Sequence, residues 1–239
     1  MRAAVLTQSL RKEFPLGWGR GRVLALEGLD LEVSRGEVFG LLGPNGSGKS
    51  TAMKMILGLL RPTPGRAEVC GCRAGTLAAR KQIGFLPENP YFPAFLSGAE
   101  LVRYYGKLSG MGGKRLEARV EELLTLVRLG GEAGRRPLRT YSKGMLQRAG
   151  LAGALVSDPE IVMLDEPTAG VDPAGSREIR DLIRELKERG KTVIFSSHLL
   201  EQVEDVADRV IILHRGQKLR EGRLENLLTQ TGEWQVRAK

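Results

Sequence analysis

Nine consecutive residues, Gly43-Pro44-Asn45-Gly46-Ser47-Gly48-Lys49-Ser50-Thr51, have the types and spacing needed to hold a chain of phosphates. The glycines let backbone N–H groups turn inward on an anion without Cβ clashes. A helix that starts after Gly48 points its positive end at the same anion. Lys49 reaches the β- and γ-phosphates, and the Ser50 hydroxyl offers a ligand to Mg2+. The competing reading is a glycine-rich turn that matches by chance. An apolar strand before the loop and a helix after it disfavour that reading.

A second group ends another apolar run, Ile161-Val162-Met163-Leu164-Asp165-Glu166. In a phosphate-loop protein the first acid of such a pair holds Mg2+, so Asp165 takes that role. Glu166 is then placed to polarise an attacking water. Taken alone, two acids closing a strand are more often the start of a turn. Lys49 in the same chain reverses that balance. His198 follows Val193-Ile194-Phe195 almost directly. A lone histidine is more often structural, yet this one shares a strand's carboxyl end with Lys49 and Glu166. Ligands of open α/β sheets bind at that edge.

The elements that must position these groups alternate. Leu29–Val33 reads as a half-buried strand and Val38–Leu42 as a buried parallel one. A helix follows to about Leu60, stopped by Arg61-Pro62-Thr63-Pro64-Gly65. In residues 89–157 helical periodicity takes over, with Leu116, Val120, Leu123, Leu124 and Val127 on one face and a second helix over 142–156. Strands return at 161–164, 193–195 and 210–213, with a helix striped by Ile179, Leu182, Ile183 and Leu186 between the first two. The pattern predicts an α/β core of parallel strands with a helical insertion. Residues 223–239 read as a polar tail with one short helix around Leu224 to Leu228.

Composition narrows the class. The chain has 239 residues, 41% hydrophobic and 27% charged, as an ordinary globular protein does. No stretch approaches the roughly 18 uncharged apolar residues of a membrane span, and the first residues lack a secretion signal. A chain that neither crosses a membrane nor is exported is expected. Cys70 and Cys72 are too few for a zinc site and too close for an unstrained disulfide, which suits a reducing cytosol. The net charge of +9 suits nucleotide, nucleic acid or an anionic membrane face. It suits equally a protein kept soluble by scattered charge.

Together these residues resemble the ATPase subunit of an ATP-binding cassette (ABC) transporter, from about Leu6 to Gly222. The phosphate loop and Asp165-Glu166 belong to the resemblance. So do Tyr141-Ser142-Lys143-Gly144-Met145-Leu146-Gln147-Arg148, similar to the Leu-Ser-Gly-Gly-Gln signature, the turn Pro167-Thr168-Ala169-Gly170-Val171-Asp172-Pro173, and His198. The resemblance implies a P-loop NTPase core with a mostly parallel sheet, an N-terminal antiparallel β part and an inserted helical subdomain. It implies one domain over 1–222, with 1–88 and 157–222 as the α/β core and 89–156 as the helical part. It also implies ATP and Mg2+ as cofactors and a head-to-tail dimer, most simply of two identical chains. In that dimer each phosphate loop meets Ser142 and Gly144 of the other subunit, and Asp172 contacts the partner's loop. Read alone, Ser142 and Asp172 are helix caps. Phe14 matches the aromatic that stacks on adenine, or else is core; Trp18 lies nearby.

Three positions depart from the family pattern. Glu88 stands where glutamine is usual and keeps a carboxylate that can bind Mg2+. Lys143 replaces a glycine and is expected to face solvent. Met145 replaces a glutamine and cannot hydrogen-bond a ribose. These variants, with Ser196 to Glu204, are similar to the ABC-2 exporter branch. The resemblance therefore implies ATP-driven export through a separate membrane permease, with the chain on the cytoplasmic face and no nucleic acid as partner. A non-transport ABC ATPase acting on nucleic acid or ribosomes is the alternative. Tyr91, Phe92, Phe95 and Leu96, broken by Pro90 and Pro93, read equally as a permease-docking cluster or as helical core.

Overall fold

Apolar runs without alternation become strands buried on both faces. In the computed structural model, which describes residues 3–17, 21–224 and 226, the successive residues of β7 (Ile161–Leu164) face two different cores. Ile161 and Met163 enter one; Val162 and Leu164 enter the other. β8 (Thr192–Ser197) repeats the pattern, with Ile194 on one side and Val193 and Phe195 on the other. These strands lie in a six-stranded sheet with β3 (Val38–Leu42), β6 (Ile83–Leu86), β9 (Arg209–His214) and β10 (Gln217–Arg223). Its order is β10-β9-β3-β8-β7-β6, parallel throughout except for the β9–β10 hairpin at one edge. The expected parallel α/β core is present.

A second, antiparallel sheet is built from β1 (Val5–Pro15), β2 (Arg22–Val33), β4 (Arg66–Val69) and β5 (Cys72–Arg73), in the order β2-β1-β4-β5. Leu29–Val33 is the last part of the long strand β2. Between the two sheets runs α1 (Lys49–Ile56), whose Ala52, Met53, Met55 and Ile56 are buried. It ends four residues before the predicted Leu60. Gly58 takes φ +69°, and its N–H donates to the Met55 carbonyl while Leu59 N–H donates to that of Lys54, which closes the helix before the prolines are reached. A short α2 (Leu77–Arg80) leads into β6. Cys70 and Cys72 are free thiols, and burial pushes Cys70 up to about 11.

Between β6 and β7 the chain is helical: α3 (Gly98–Leu108), α4 (Gly113–Leu126), α5 (Glu132–Arg135) and α6 (Lys143–Leu155). Leu116, Val120, Leu123, Leu124 and Val127 are all buried in one cluster with Leu101, Leu151 and Leu155. α3 is fixed at its start by reciprocal bonds between Ser97 and Glu100. α7 (Pro173–Glu188) and α8 (Leu200–Glu204) cover the remaining face of the large sheet, with Ile179, Leu182, Ile183 and Leu186 inward. Most of the predicted tail helix, and Trp18, lie outside the described residues.

Candidate functional site

The three chemical groups of the sequence meet at the carboxyl edge of the parallel sheet. The loop after β3 is pinned from two sides. Gly43 N–H donates to the Ser197 carbonyl at 3.2 Å, and a backbone relay runs from Ser47 O to Gly216 N and from Gly216 O to Glu27 N. The space explains the glycines. A Cβ on Gly43 would lie 2.2 Å from the Leu213 carbonyl oxygen, and Gly48, at φ +105°, would press on Ala25. Pro44, Asn45 and Gly46 are exposed, while Ser47 and Lys49 are buried.

Lys49 Nζ donates to the Gly43 carbonyl at 2.6 Å and lies 3.1 Å from Glu166 Oε1. The other oxygen of Glu166, Oε2, is 2.8 Å from His198 Nδ1. One carboxylate thus joins the phosphate-loop lysine to the histidine. Lys49 and Glu166 are buried; the His198 side chain is 40% exposed. Glu166 holds φ +46°, a left-handed conformation that costs about 1–3 kcal/mol in a non-glycine residue. Its backbone N–H donates to Ser196 Oγ at 2.8 Å, and Ser196 Oγ donates to Asp165 Oδ1 at 2.7 Å. Ser50 Oγ donates to the same Asp165 oxygen at 3.1 Å, and the adjacent Thr51 is half-buried.

Two buried atoms in this arrangement lack hydrogen-bond partners, Ser47 Oγ and Glu166 Oε1; the latter has only the Lys49 charge, outside hydrogen-bond geometry. Leaving such groups unmet in the interior costs about 1–3 kcal/mol each, which suits a site completed by a ligand. A buried ammonium and an orphaned hydroxyl at the start of α1 fit a polyphosphate. Ser50 and Asp165 supply hard oxygen donors side by side, which fit Mg2+. The Glu88 side chain is exposed and its carboxylate bonds to neither; its carbonyl accepts from Gln147 Nε2 at 2.8 Å.

Ser142 caps α6, its Oγ accepting from Met145 N–H at 3.2 Å, and it is exposed. Asp172 caps α7 by backbone shape alone. Its side chain makes no cap bond, which leaves the carboxylate available. Lys143 is exposed, but its ammonium folds over Gly170, where a Cβ would lie 2.7 Å from Nζ. Gly144 is buried beneath Val171. Phe14 is not core: it is 38% exposed, with Lys12 Nζ 5.2 Å from the ring centroid. The aromatic cluster divides, with Tyr91 96% and Phe95 74% exposed while Phe92 and Leu96 pack against the helical core.

Sequence reasoning missed Ser196, which holds both acids at once, and Gln202, whose Oε1 accepts from Thr168 Oγ1 and Ser197 Oγ. The signal was a pair of serines closing a buried strand just before His198.

The ABC transporter family model matches residues 26–169. The chain is 41% identical over 99% of its length to an ABC transporter ATP-binding protein of Nostoc sp., covering 74% of that protein. It is 40% identical over 87% of its length to the daunorubicin resistance ATP-binding protein DrrA3 of Streptomyces coeruleorubidus, covering 66% of it. It is 39% identical over 84% to the Nod factor export ATP-binding protein I of Rhizobium sp. strain N33, covering 67% of it. The chain thus spans about two thirds to three quarters of these relatives. Among solved structures it resembles a dimeric post-hydrolysis ATP-binding cassette bound to ADP and Pi, with a TM-score of 0.83 at 28% identity over 92% of this chain and 98% of that one.

Proposed function

The chain belongs to the ABC transporter family, and from that premise we propose how its residues divide the work of the cassette. It is an ATP-binding, ATP-hydrolysing subunit of a transporter. The observation that carries the assignment of roles is the buried Lys49–Glu166–His198 chain beside the unmet Ser47 hydroxyl.

Residues 43–51 wrap the phosphates, and Phe14 stacks on the base. Without nucleotide, Lys49 is held by Glu166. An arriving γ-phosphate draws Lys49 away and frees one carboxylate oxygen, while His198 keeps the other in place. Glu166 then orients a water for in-line attack on the γ-phosphorus and takes its proton as the bond to the β–γ bridging oxygen breaks. Lys49 and His198 offset the charge on the transferred phosphoryl oxygens. Mg2+, held by Ser50 and Asp165 with Glu88 within the same edge, supplies further charge neutralisation when bound.

The remaining groups act between subunits. Ser142 and Gly144 grip the γ-phosphate bound to a second, head-to-tail copy, and Asp172 meets that copy's phosphate loop. The exposure of Ser142 and the unspent carboxylate of Asp172 support this. Residues 1–88 and 157–222 form the nucleotide-binding core, and residues 89–156 the helical part that carries Ser142 and Gly144. Tyr91 and Phe95 receive a membrane permease on its cytoplasmic side. Two relatives are named for drug resistance and export, which supports export as the direction.

The test is hydrolysis against binding. Glu166→Gln keeps ATP affinity and loses about 10²–10⁴-fold in turnover. Turnover at the normal rate would remove Glu166 from the role of base.

A further inference from the structure

A second basic feature lies away from the phosphate site. A groove of about 650 Å³ lies at the carboxyl end of α1, lined in part by Arg61, Arg66, Arg73 and Arg80. The four arginines are spread over twenty residues of sequence, so they look scattered there. The fold gathers them. Gly58, ending α1, and Gly75, before α2, touch so closely that a Cβ on Gly58 would lie 2.1 Å from the Gly75 Cα. That contact draws the end of α1 against the β5–α2 turn and sets Arg61 and Arg66 opposite Arg73 and Arg80.

All four side chains are exposed, and none has a carboxylate or hydrogen-bond partner among the described residues. Some arginines elsewhere are paired, as Arg103 is with Glu117, Arg119 with Glu122 and Arg180 with Asp205, and those without a partner among the described residues, such as Arg115 and Arg139, do not line this groove. Glu68, opposite Arg73 in the strand register, does not reach any of the four. Lys12 adds a fifth charge, its Nζ donating to the Arg61 carbonyl at 2.8 Å. Like charges gathered without counter-charge repel one another, a cost that only an anion removes.

We propose that this groove binds the headgroups of anionic phospholipids and holds the cassette against the membrane surface. Guanidinium forks match phosphate geometry. The groove is lined by no aromatic side chain on which a nucleotide base could stack. Next to its lining residues in sequence are Leu59 and Leu77, 63% and 71% exposed, an apolar flank that suits a bilayer interface better than a free anion in water. The inference rests on this unpaired charge, not on the assignment of catalytic roles.

Flotation of the purified full chain with vesicles tests it. The expected result is binding to phosphatidylcholine–phosphatidylglycerol vesicles, released by salt, with little binding to phosphatidylcholine alone. Replacing Arg61, Arg66, Arg73 and Arg80 by Gln weakens that binding about fivefold per arginine and leaves ATP hydrolysis unchanged. A charge-matched control replaces Lys114, Arg115, Arg135 and Arg139 by Gln and retains binding. Equal loss in the two variants would reduce the effect to net charge and overturn the proposal, as would no preference for anionic vesicles. Saturable binding of polyglutamate that depends on the four arginines, without vesicle binding, would assign the groove to an acidic protein segment instead. Each of these failures leaves the ATPase reading intact.

Discussion

The sheet edge and the helical region are both well packed, yet they use their interiors in opposite ways. Around α3, α4 and α6 the buried side chains are mostly apolar; the buried Gln147 and Arg148 donate to the backbone carbonyls of Glu88, Val127 and Arg128, with Gln147 Oε1 and Arg148 Nε unmet, and no carboxylate or lysine is buried among them. At the carboxyl edge of the sheet the interior holds Lys49, Asp165, Glu166, Ser47, Ser196 and Ser197. Glu166 there has a left-handed backbone, and one of the unmet atoms at this edge is its carboxylate oxygen Oε1, facing a buried ammonium. The first region spends its burial on stability. The second gives some of that up to keep charge desolvated and pointed at a ligand. The difference teaches where a substitution is read out: as stability in one region, as chemistry in the other.

The sharpest way to break that comparison is at Lys49. Lys49→Ala removes both the phosphate contact and the ion pair that neutralises Glu166. ATP affinity is expected to fall by about two orders of magnitude or more, measured by calorimetry. An affinity within twofold of the parent would remove Lys49 from the phosphate site. The counterpart in the helical region is Leu123→Ala, which leaves a cavity among Leu116, Val120 and Leu155. It is expected to lose about 2–5 kcal/mol of stability in denaturant titration while its folded fraction binds ATP normally. A large affinity change at constant stability would show that the two regions are not separable in this way.

Ser142 belongs to both regions, as the cap of α6 and as the proposed grip on the partner's nucleotide. Ser142→Ala is expected to cost about 1 kcal/mol in stability through the lost cap. A loss of ATP-dependent dimerisation larger than that cap accounts for, seen by light scattering, marks the second role; Ser142→Asp keeps the cap and separates the two. The smallest effect lies on the seam. Asp158 is bonded to Lys191 at 2.7 Å and lies 3.4 Å from Arg119 of α4, and Lys191 holds its carboxyl below the usual range. A lowered native value means stability present above the unfolded value and lost as pH falls through the native one. Lys191→Met should remove a few tenths of a kcal/mol at neutral pH and flatten the acid limb of the pH–stability curve. An unchanged acid limb would show that the seam does not depend on this pair.

Much of both regions was legible in the residues. The phosphate loop, Asp165-Glu166 and the run before His198 each combine a side-chain type with a strand end, and such local combinations read directly from order and spacing. The stripes on α4 and α7 read the same way, because a helix that buries one face must repeat its apolar residues. The end of α1 was misplaced because a single left-handed glycine overrode the more obvious prolines. β4, β5 and β6 are short, and their register against distant strands carries no local signal. Phe14 and the cluster at 91–96 could not be divided into packed and exposed members without knowing what lay above them.

Taken by itself, the chain of residues determined the chemistry on offer: which groups hold phosphate, which acid precedes which, and that they meet at strand ends. Those facts follow from bonded neighbours and periodicity. Only the tertiary structure decided that Glu166 bridges Lys49 and His198, that Ser196 ties the two acids together, and that four unpaired arginines share one groove. Each of these depends on distances between segments far apart along the chain, and those distances are set by how sheets and helices pack.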